Sequence, residues 1–351
     1  MIKKICLAVL FMAVTSCKND KNTTNFETLA ITATPKPIQG ESLAFDALVL
    51  PTKMVYQEPY LFLGDSRATK RIHVIDIPNK TYVANIGTAG KGPGELLSLS
   101  CLDIYDDKLW GYDITISKLV SFHLDSVASP TYTHDSEIYF QGRANQNFNP
   151  NWIADTNTIV STTFSESENR LMFTNTDGTV VEEKFPMFAP PSSTIPQTIH
   201  NISYQGTLTV KPDQSKVAAV SRYADLLEIF DLKSNTGKRI KTHTNFSPIY
   251  KVVNVDGNAT MGQGEDTRFG HIYIAASDAK IYTLYSGRTR GEGKANFAEV
   301  VCVFDWNGNF ITSYQLENRA IAIEVKDDNE FFTLELGPQG KSVLKKYTIN
   351  E

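Results

Sequence analysis

Cysteine is scarce in this chain, at four in 351 residues, and the six histidines show no metal-ligand spacing and no HExxH pair. No window sustains a 3.6-residue apolar period, so a helical fold is not expected. No Pro/Ser-rich linker divides the chain after residue 45, which favours one large domain over two average ones. The formal charge is −5, with no basic run. That balance argues against nucleic acid or anionic lipid as the partner. Catalytic signatures are missing as well. There is no GxSxG elbow, and Gly64-Asp65-Ser66 reads as a turn between strands. In the glycine-rich stretch Gly87–Leu96, Lys91 is followed by Gly92-Pro93-Gly94, whereas a phosphate-cradling loop needs Ser or Thr opening a helix. Asp305 to Asn309 mimics the start of a calcium loop, but its twelfth position is Leu316 instead of Glu.

What the chain does contain is strands in a repeating pattern. Val300–Leu316 is two apolar, β-rich runs joined by Asn307-Gly308, a strong short-range hairpin signal. Weaker copies occur at His73–Val83, Val120–Val127, Met172–Val181 and Glu228–Ile240. Aligning Asp76, His123, Thr174, Asp231 and Asp305 gives steps of 47, 51, 57 and 74 residues, with a sixth copy at Ser342–Ile349. The longest step holds a Gly-rich polar insertion, Asp256–Thr267. Units of this length built from short strands indicate an all-β, six-bladed β-propeller with four-stranded antiparallel blades. The last blade supplies only three strands of its own, so an N-terminal strand is expected to complete it and close the ring. Gln141–Pro150 reads as a loop, and Pro186–Pro196 as a crossing between blades. Cys101 and Cys302 fall three blades apart, too distant for a disulfide, and read as small buried hydrophobes.

The first residues read as a targeting segment. Lys3 and Lys4 precede the apolar run Ile5–Val14, which is too short for a bilayer span of about 20 residues. Val14-Thr15-Ser16-Cys17 resembles the lipobox of bacterial lipoproteins, in which the cysteine receives the lipid. The expected organisation is a signal peptide over 1–16, a lipidated tether with a possible closing strand over 17–41, and the propeller over 42–351. Removing the signal takes two lysines and no acids, moving the formal charge from −5 to −7.

Four segments together, Lys91–Leu96, Ser221–Leu232, Ile281–Thr289 and Val301–Phe310, resemble the TolB-like six-bladed propeller lipoproteins of Gram-negative bacteria, over about Ser42 to Ile349. The Gly-Pro-Gly-Glu loop also appears in relatives of NHL-repeat propellers. The resemblance implies the fold and a cell-envelope address. Lys18 and Asn19 lack the Asp that would suggest inner-membrane retention, so the outer membrane is favoured over the inner. It carries no settled activity and no catalytic residues. Ser-x-Asp-x-Gly boxes of sialidase-type propellers are absent.

The expected function is therefore a non-catalytic binding or scaffolding module, monomeric and held to the membrane by its lipid, with no cofactor. Two alternatives stand beside it. One is a calcium-dependent hydrolase of the gluconolactonase type, for which Glu58, Asp103, Asn201, Asp213 and Glu324 lie near predicted inner strands. The other is a structural role in an envelope assembly. Propeller ligands gather at the channel mouth, on the face formed by outer-to-inner connectors. Lys91, Arg222, Tyr223, Arg288 and Arg290 lie on loops of that kind, pointing to an anionic small molecule, glycan or peptide carboxylate. The anchor is tested directly: Cys17→Ala is expected to leave the domain folded and release it from the membrane fraction. Sedimentation of the variant with membranes after a high-salt wash overturns the lipid assignment.

Overall fold

The computed structural model describes residues 24–349 apart from 30, 32, 130, 243, 244, 338 and 339, so Cys17 lies outside the described residues. Blade 1 is built from Lys53–Gln57, Tyr60–Gly64, Lys70–Asp76 and Thr81–Thr88. Blade 2 takes Cys101–Tyr105, Lys108–Asp113, Lys118–His123 and Glu137–Tyr139. Asn147–Ile153, Thr158–Thr163, Asn169–Thr174 and Val180–Pro186 make blade 3. Leu208–Val210, Lys216–Val220, Leu227–Asp231 and Thr236–Lys241 make blade 4.

Blades 5 and 6 share one long strand, Phe310–Val325. Its first half pairs with Ala298–Asp305 as the outer strand of blade 5, beyond Lys280–Tyr285 and His271–Ala276. Its second half is the inner strand of blade 6, followed by Glu330–Leu336 and Ser342–Thr348. Gly40–Leu43 then pairs antiparallel with residues 344–347 and completes that blade. Each of the six inner strands lies against the next around the ring. The six-bladed ring closed by an N-terminal strand is thus the fold expected from the repeats.

The recurring sequence signal has a local cause. Asp76, His123, Thr174, Asp231 and Asp305 all end the third strand of their blade. At Asp231 and Asp305 the carboxylate accepts the N–H groups of the turn that follows, Lys233 and Ser234 in one case, Asn307 and Asn309 in the other. This is how an aspartate mimics a backbone turn. In the last hairpin Gly308 adopts φ +83°, where a side chain is strained.

Packing follows the blades. Six apolar clusters are buried at the seams between neighbours, such as Phe62, Val74, Leu109 and Phe122 between blades 1 and 2. Leu61, Ile75, Phe332 and Leu344 fill the seam between blades 1 and 6. Burying each such side chain contributes roughly 1.5–3 kcal/mol. Cys101 and Cys302 are free and buried, on blades 2 and 5.

Three local expectations need correction. Thr24–Thr28, expected in the tether, adds to blade 4 as a parallel fifth strand, and Lys36–Pro37 pairs with the outer strand of blade 5. Edge strands offer unpaired backbone groups, and the N-terminal segment satisfies them on three blades in turn. Gln141–Pro150 is not all loop. After a short 3-10 turn, blade 3 starts at Asn147, with its register interrupted between Phe148 and Asn151 around Pro150, which has no N–H to donate. A helix, Gln197–Ser203, follows the Pro-rich crossing. The insertion before blade 5 is a hairpin, Lys251–Val255 with Asn258–Gly262, carrying exposed valines at 252, 253 and 255.

Gly40 offers a direct test of ring closure, because a Cβ there would stand 2.6 Å from the Tyr347 ring. Gly40→Val is expected to cost roughly 1–3 kcal/mol in urea denaturation, the usual penalty of overpacking. A change below about 0.5 kcal/mol, the ordinary scatter for a surface substitution, would mean that the closing strand does not hold the ring.

Candidate functional site

The inner strands converge on a central cavity of about 130 Å³, lined by residues from all six blades. Because strands alternate in direction within a blade, outer-to-inner connectors and second-to-third loops share one face. Each inner strand therefore begins at that face, as Lys53 does in blade 1 and Cys101 in blade 2.

Lys53 is the residue that sequence reasoning missed. It precedes Met54, which lines the cavity, and its ammonium lies over the Tyr273 ring, 5.6 Å from the centroid. Tyr273 in turn accepts a hydrogen bond from the Met54 N–H at 3.5 Å. Burial, aided by repulsion from the Arg222 guanidinium, brings the Lys53 pKa down to about 8. Arg222 sits on the second-to-third loop of blade 4, on the face where the inner strands begin, and near enough for its charge to act on the Lys53 ammonium. The backbone around Arg222 is fixed: its N–H donates to the Gln205 carbonyl, and its own carbonyl accepts from Gly270.

Other buried cations are spent on structure. Arg170 and Arg239 both pair with Glu228, at 2.6 and 2.9 Å, tying blade 3 to blade 4. Arg71 donates to main-chain carbonyls, including those of Leu96 and Leu97. Neither Lys53 nor Arg222 forms a side-chain hydrogen bond or ion pair with another described residue. Two like charges held together without a counter-charge cost energy that a bound anion would recover.

Below the cations the cavity turns acidic. Asp103 accepts from the Trp152 and Ile104 N–H groups at 2.7 and 2.9 Å, yet burial still pushes its carboxyl up to about 7. Burial lifts Glu324 to about 8, with the Asp103 charge adding to the effect. The Cys101 thiol is pushed up to about 12, chiefly by burial, which makes it a poor nucleophile. Glu324 also lines a second cavity, of about 480 Å³, on the opposite face, and so stands at the neck between the two.

The five cations and aromatics singled out in the sequence do not form one cluster. Lys91 is exposed in a connector that leans on the outer strand of blade 2, away from the channel. The N–H groups of that loop are taken by carboxylates, Gly92 by Glu95 and Gly94 by Glu137, leaving no phosphate cradle. Tyr223 is 5% exposed, packs against Phe269 and receives a hydrogen bond from Gln263, so it is a core residue. Arg288 turns back on its own loop to the Glu292 carbonyl, and Arg290 is exposed beside it. Arg222 alone of the five reaches the channel mouth.

The calcium donors fare similarly. Asp103 and Glu324 face the cavity, but Glu58 and Asp213 occupy first-to-second-strand turns on the far face. Asn201 is buried in the short helix, bound to the carbonyls of Ser165 and Ser167. Among the described residues no group of three or more His, Cys, Asp or Glu side chains is placed to hold a metal ion.

The channel groups set a pH signature. In the unfolded chain Asp103 and Glu324 ionise near pH 4, whereas in the fold they keep their protons to about 7 and 8. Unfolding therefore releases protons between those limits, and their contribution to stability falls as pH rises through that window. Lys53 works oppositely, its contribution rising as pH climbs from about 8 towards the ordinary lysine value of 10.5. Glu324→Gln is expected to reduce the loss of melting temperature between pH 5 and pH 8.5. An unchanged profile would show that Glu324 already ionises at its ordinary pKa.

Comparison with known proteins agrees with this architecture. The family described as TolB-like 6-blade propeller-like matches residues 34–328. Among solved structures, the chain is similar to a protein of Bacteroides fragilis NCTC 9343 provisionally described as exported, with a TM-score of 0.56 and 11% identity over 94% of this chain and all of that one. It is also similar to U3-55K, with a TM-score of 0.53 and 10% identity over 90% of this chain and all of that one. At such identity the likeness speaks to the fold alone. No curated protein matches the chain. Six blades, six inner strands around one channel and a family match over most of the length lead to one conclusion: the chain belongs to the TolB-like 6-blade propeller-like family.

Proposed function

We propose that this protein is a non-catalytic binding module of the cell envelope, lipid-anchored at Cys17. On this reading it takes an anionic small molecule at the mouth of its central channel. The observation that carries the reading is Lys53 over the ring of the cavity-lining Tyr273, within the electrostatic influence of Arg222 on the same face, with neither cation paired to a carboxylate among the described residues. An arginine fork binds carboxylate or phosphate oxygens bidentately, and the lysine adds a compact charge beside it. The cavity beneath them is too small for a macromolecule, so only a small ligand or the end of a larger one enters. Cys101, which lines the cavity, is held as a thiol and is a poor nucleophile.

Binding needs a charged Lys53, so anion affinity is expected to fall as pH rises above about 8, where the free ammonium deprotonates. A panel of small carboxylates, phosphate and phosphate esters, followed by thermal shift on the mature protein, tests the site. Arg222→Gln and Lys53→Met are each expected to weaken a bound anion by about 1.5–3 kcal/mol, the range for a charged hydrogen bond. Lys91→Ala and Arg288→Ala are expected to bind like the unmodified protein. If no anion raises the melting temperature, or if Lys91→Ala weakens binding as much as Arg222→Gln, the site is wrong.

A further inference from the structure

The cavity below the cation pair holds a polar atom that the fold leaves unused. Thr207 is 5% exposed and lines the cavity, and its Oγ1 has no hydrogen-bond partner. It precedes the inner strand of blade 4, two residues beyond Gln205, whose carbonyl holds the backbone of Arg222. Asp103, Glu324 and Asn151 line the same space; the Asp103 oxygens also accept the Ile104 and Trp152 N–H groups, and the Asn151 amide donates to the Asn149 carbonyl. Buried hydroxyls are almost always paired, so an unpaired one on a cavity-lining residue points to a hydrogen-bonding guest nearby. The cavity also has a size: about 130 Å³ is room for roughly five or six heavy atoms, judged against a cavity that accepts benzene.

We infer that this cavity is a hydroxyl-binding subsite, and that the ligand is a short hydroxy acid whose carboxylate sits at Lys53 and Arg222. Its hydroxyl-bearing carbons descend to Thr207, Asp103 and Glu324. The inference rests on the anion reading above and adds the chemistry of the rest of the ligand. A hydroxyl group both donates and accepts, so it can serve the Thr207 oxygen and the carboxyl oxygens together. A bare alkyl chain leaves those buried groups unpaired, and polar sites reject such analogues strongly. With its carboxyl held up to about 8, Glu324 stays mostly protonated at neutral pH and can donate to a ligand oxygen, while Asp103, at about 7, is half ionised there and can accept from a ligand hydroxyl.

Three four-carbon probes separate the two parts of the site: threonate, with a carboxylate and three hydroxyls; butyrate, with the carboxylate alone; and erythritol, with hydroxyls alone. In isothermal titration calorimetry at pH 7, threonate is expected to bind at least roughly tenfold tighter than either of the others, the effect of one well-made hydrogen bond. Thr207→Val is expected to remove most of that advantage and leave butyrate unchanged, while Thr207→Ser retains it. Arg222→Gln is expected to weaken threonate and butyrate alike. Equal affinity for threonate and butyrate overturns the subsite and leaves the anion reading standing. Equal affinity for threonate and erythritol, unaffected by Arg222→Gln, overturns both. If threonate does not bind at millimolar concentration the inference fails, and butyrate then shows whether the anion site fails with it.

Discussion

The pairing of Gly40–Leu43 with the strand at 342–348 is the contact on which the rest of this molecule depends. A propeller is a ring, and a ring whose ends are not joined leaves two blade faces and a row of backbone groups open to water. Here the junction is a strand ladder reinforced by side chains. Tyr347 lies beneath Gly40 and donates its hydroxyl to Glu335, and Lys345 pairs with Glu317, whose carboxylate also accepts from the Gly40 N–H. From the closing strand the chain runs directly to Lys53, so the ladder that seals the ring also sets the position of one channel cation.

Buried carboxylates govern the connector face in the same way. Asp65 and Asp113 stand at the ends of second strands, Asp225 in the second-to-third loop of blade 4, and all three are fully buried. Each collects backbone N–H groups of a neighbouring connector: Leu50 for Asp65, Leu97 and Ser98 for Asp113, Thr242 and Asn245 for Asp225. Burial alone would raise the Asp225 carboxyl, but hydrogen bonding and charge from His271, with the Thr242 bond, hold it at about 2. An ionised carboxylate accepting several N–H groups is a strong local clamp. Arg222 rides on the loop that Asp225 anchors, which gives the guanidinium a fixed base. The mouth is thereby made of loops without being loose.

Inside the channel the physical logic reverses. Asp103 and Glu324 are buried with too few donors to offset their desolvation, so they hold protons, whereas Asp65 and Asp225 do not. The contrast arises from hydrogen-bond supply and not from residue type. It separates groups that build the ring from groups left facing a space where a guest can sit.

The sequence by itself determined the repeat, and through it the fold. An aspartate that mimics a turn, an Asn-Gly hairpin and apolar alternation are local devices, each acting within a few residues of its own position. They were legible at Asp76, Asp231 and Asp305 because the physics that shapes each turn is short-range. The need for a closing strand was legible too, since the last blade has only three strands to offer. What the sequence left unreadable depends on which blades face one another. Lys53 and Arg222 are 169 positions apart and come within electrostatic reach of each other only when the ring closes. Tyr223 looks like a loop aromatic and is core, because the connectors of blade 5 fold over it. Lys91 shares a face with Arg222 but lies at the rim, because its loop leans outward onto Glu137. The start of the first strand of blade 3 was hidden by Pro150 and its asparagines, residues that disfavour regular strands yet place Asn151 in the channel. Distance across a channel is a property of the closed ring, and only the tertiary structure decides which side chains share it.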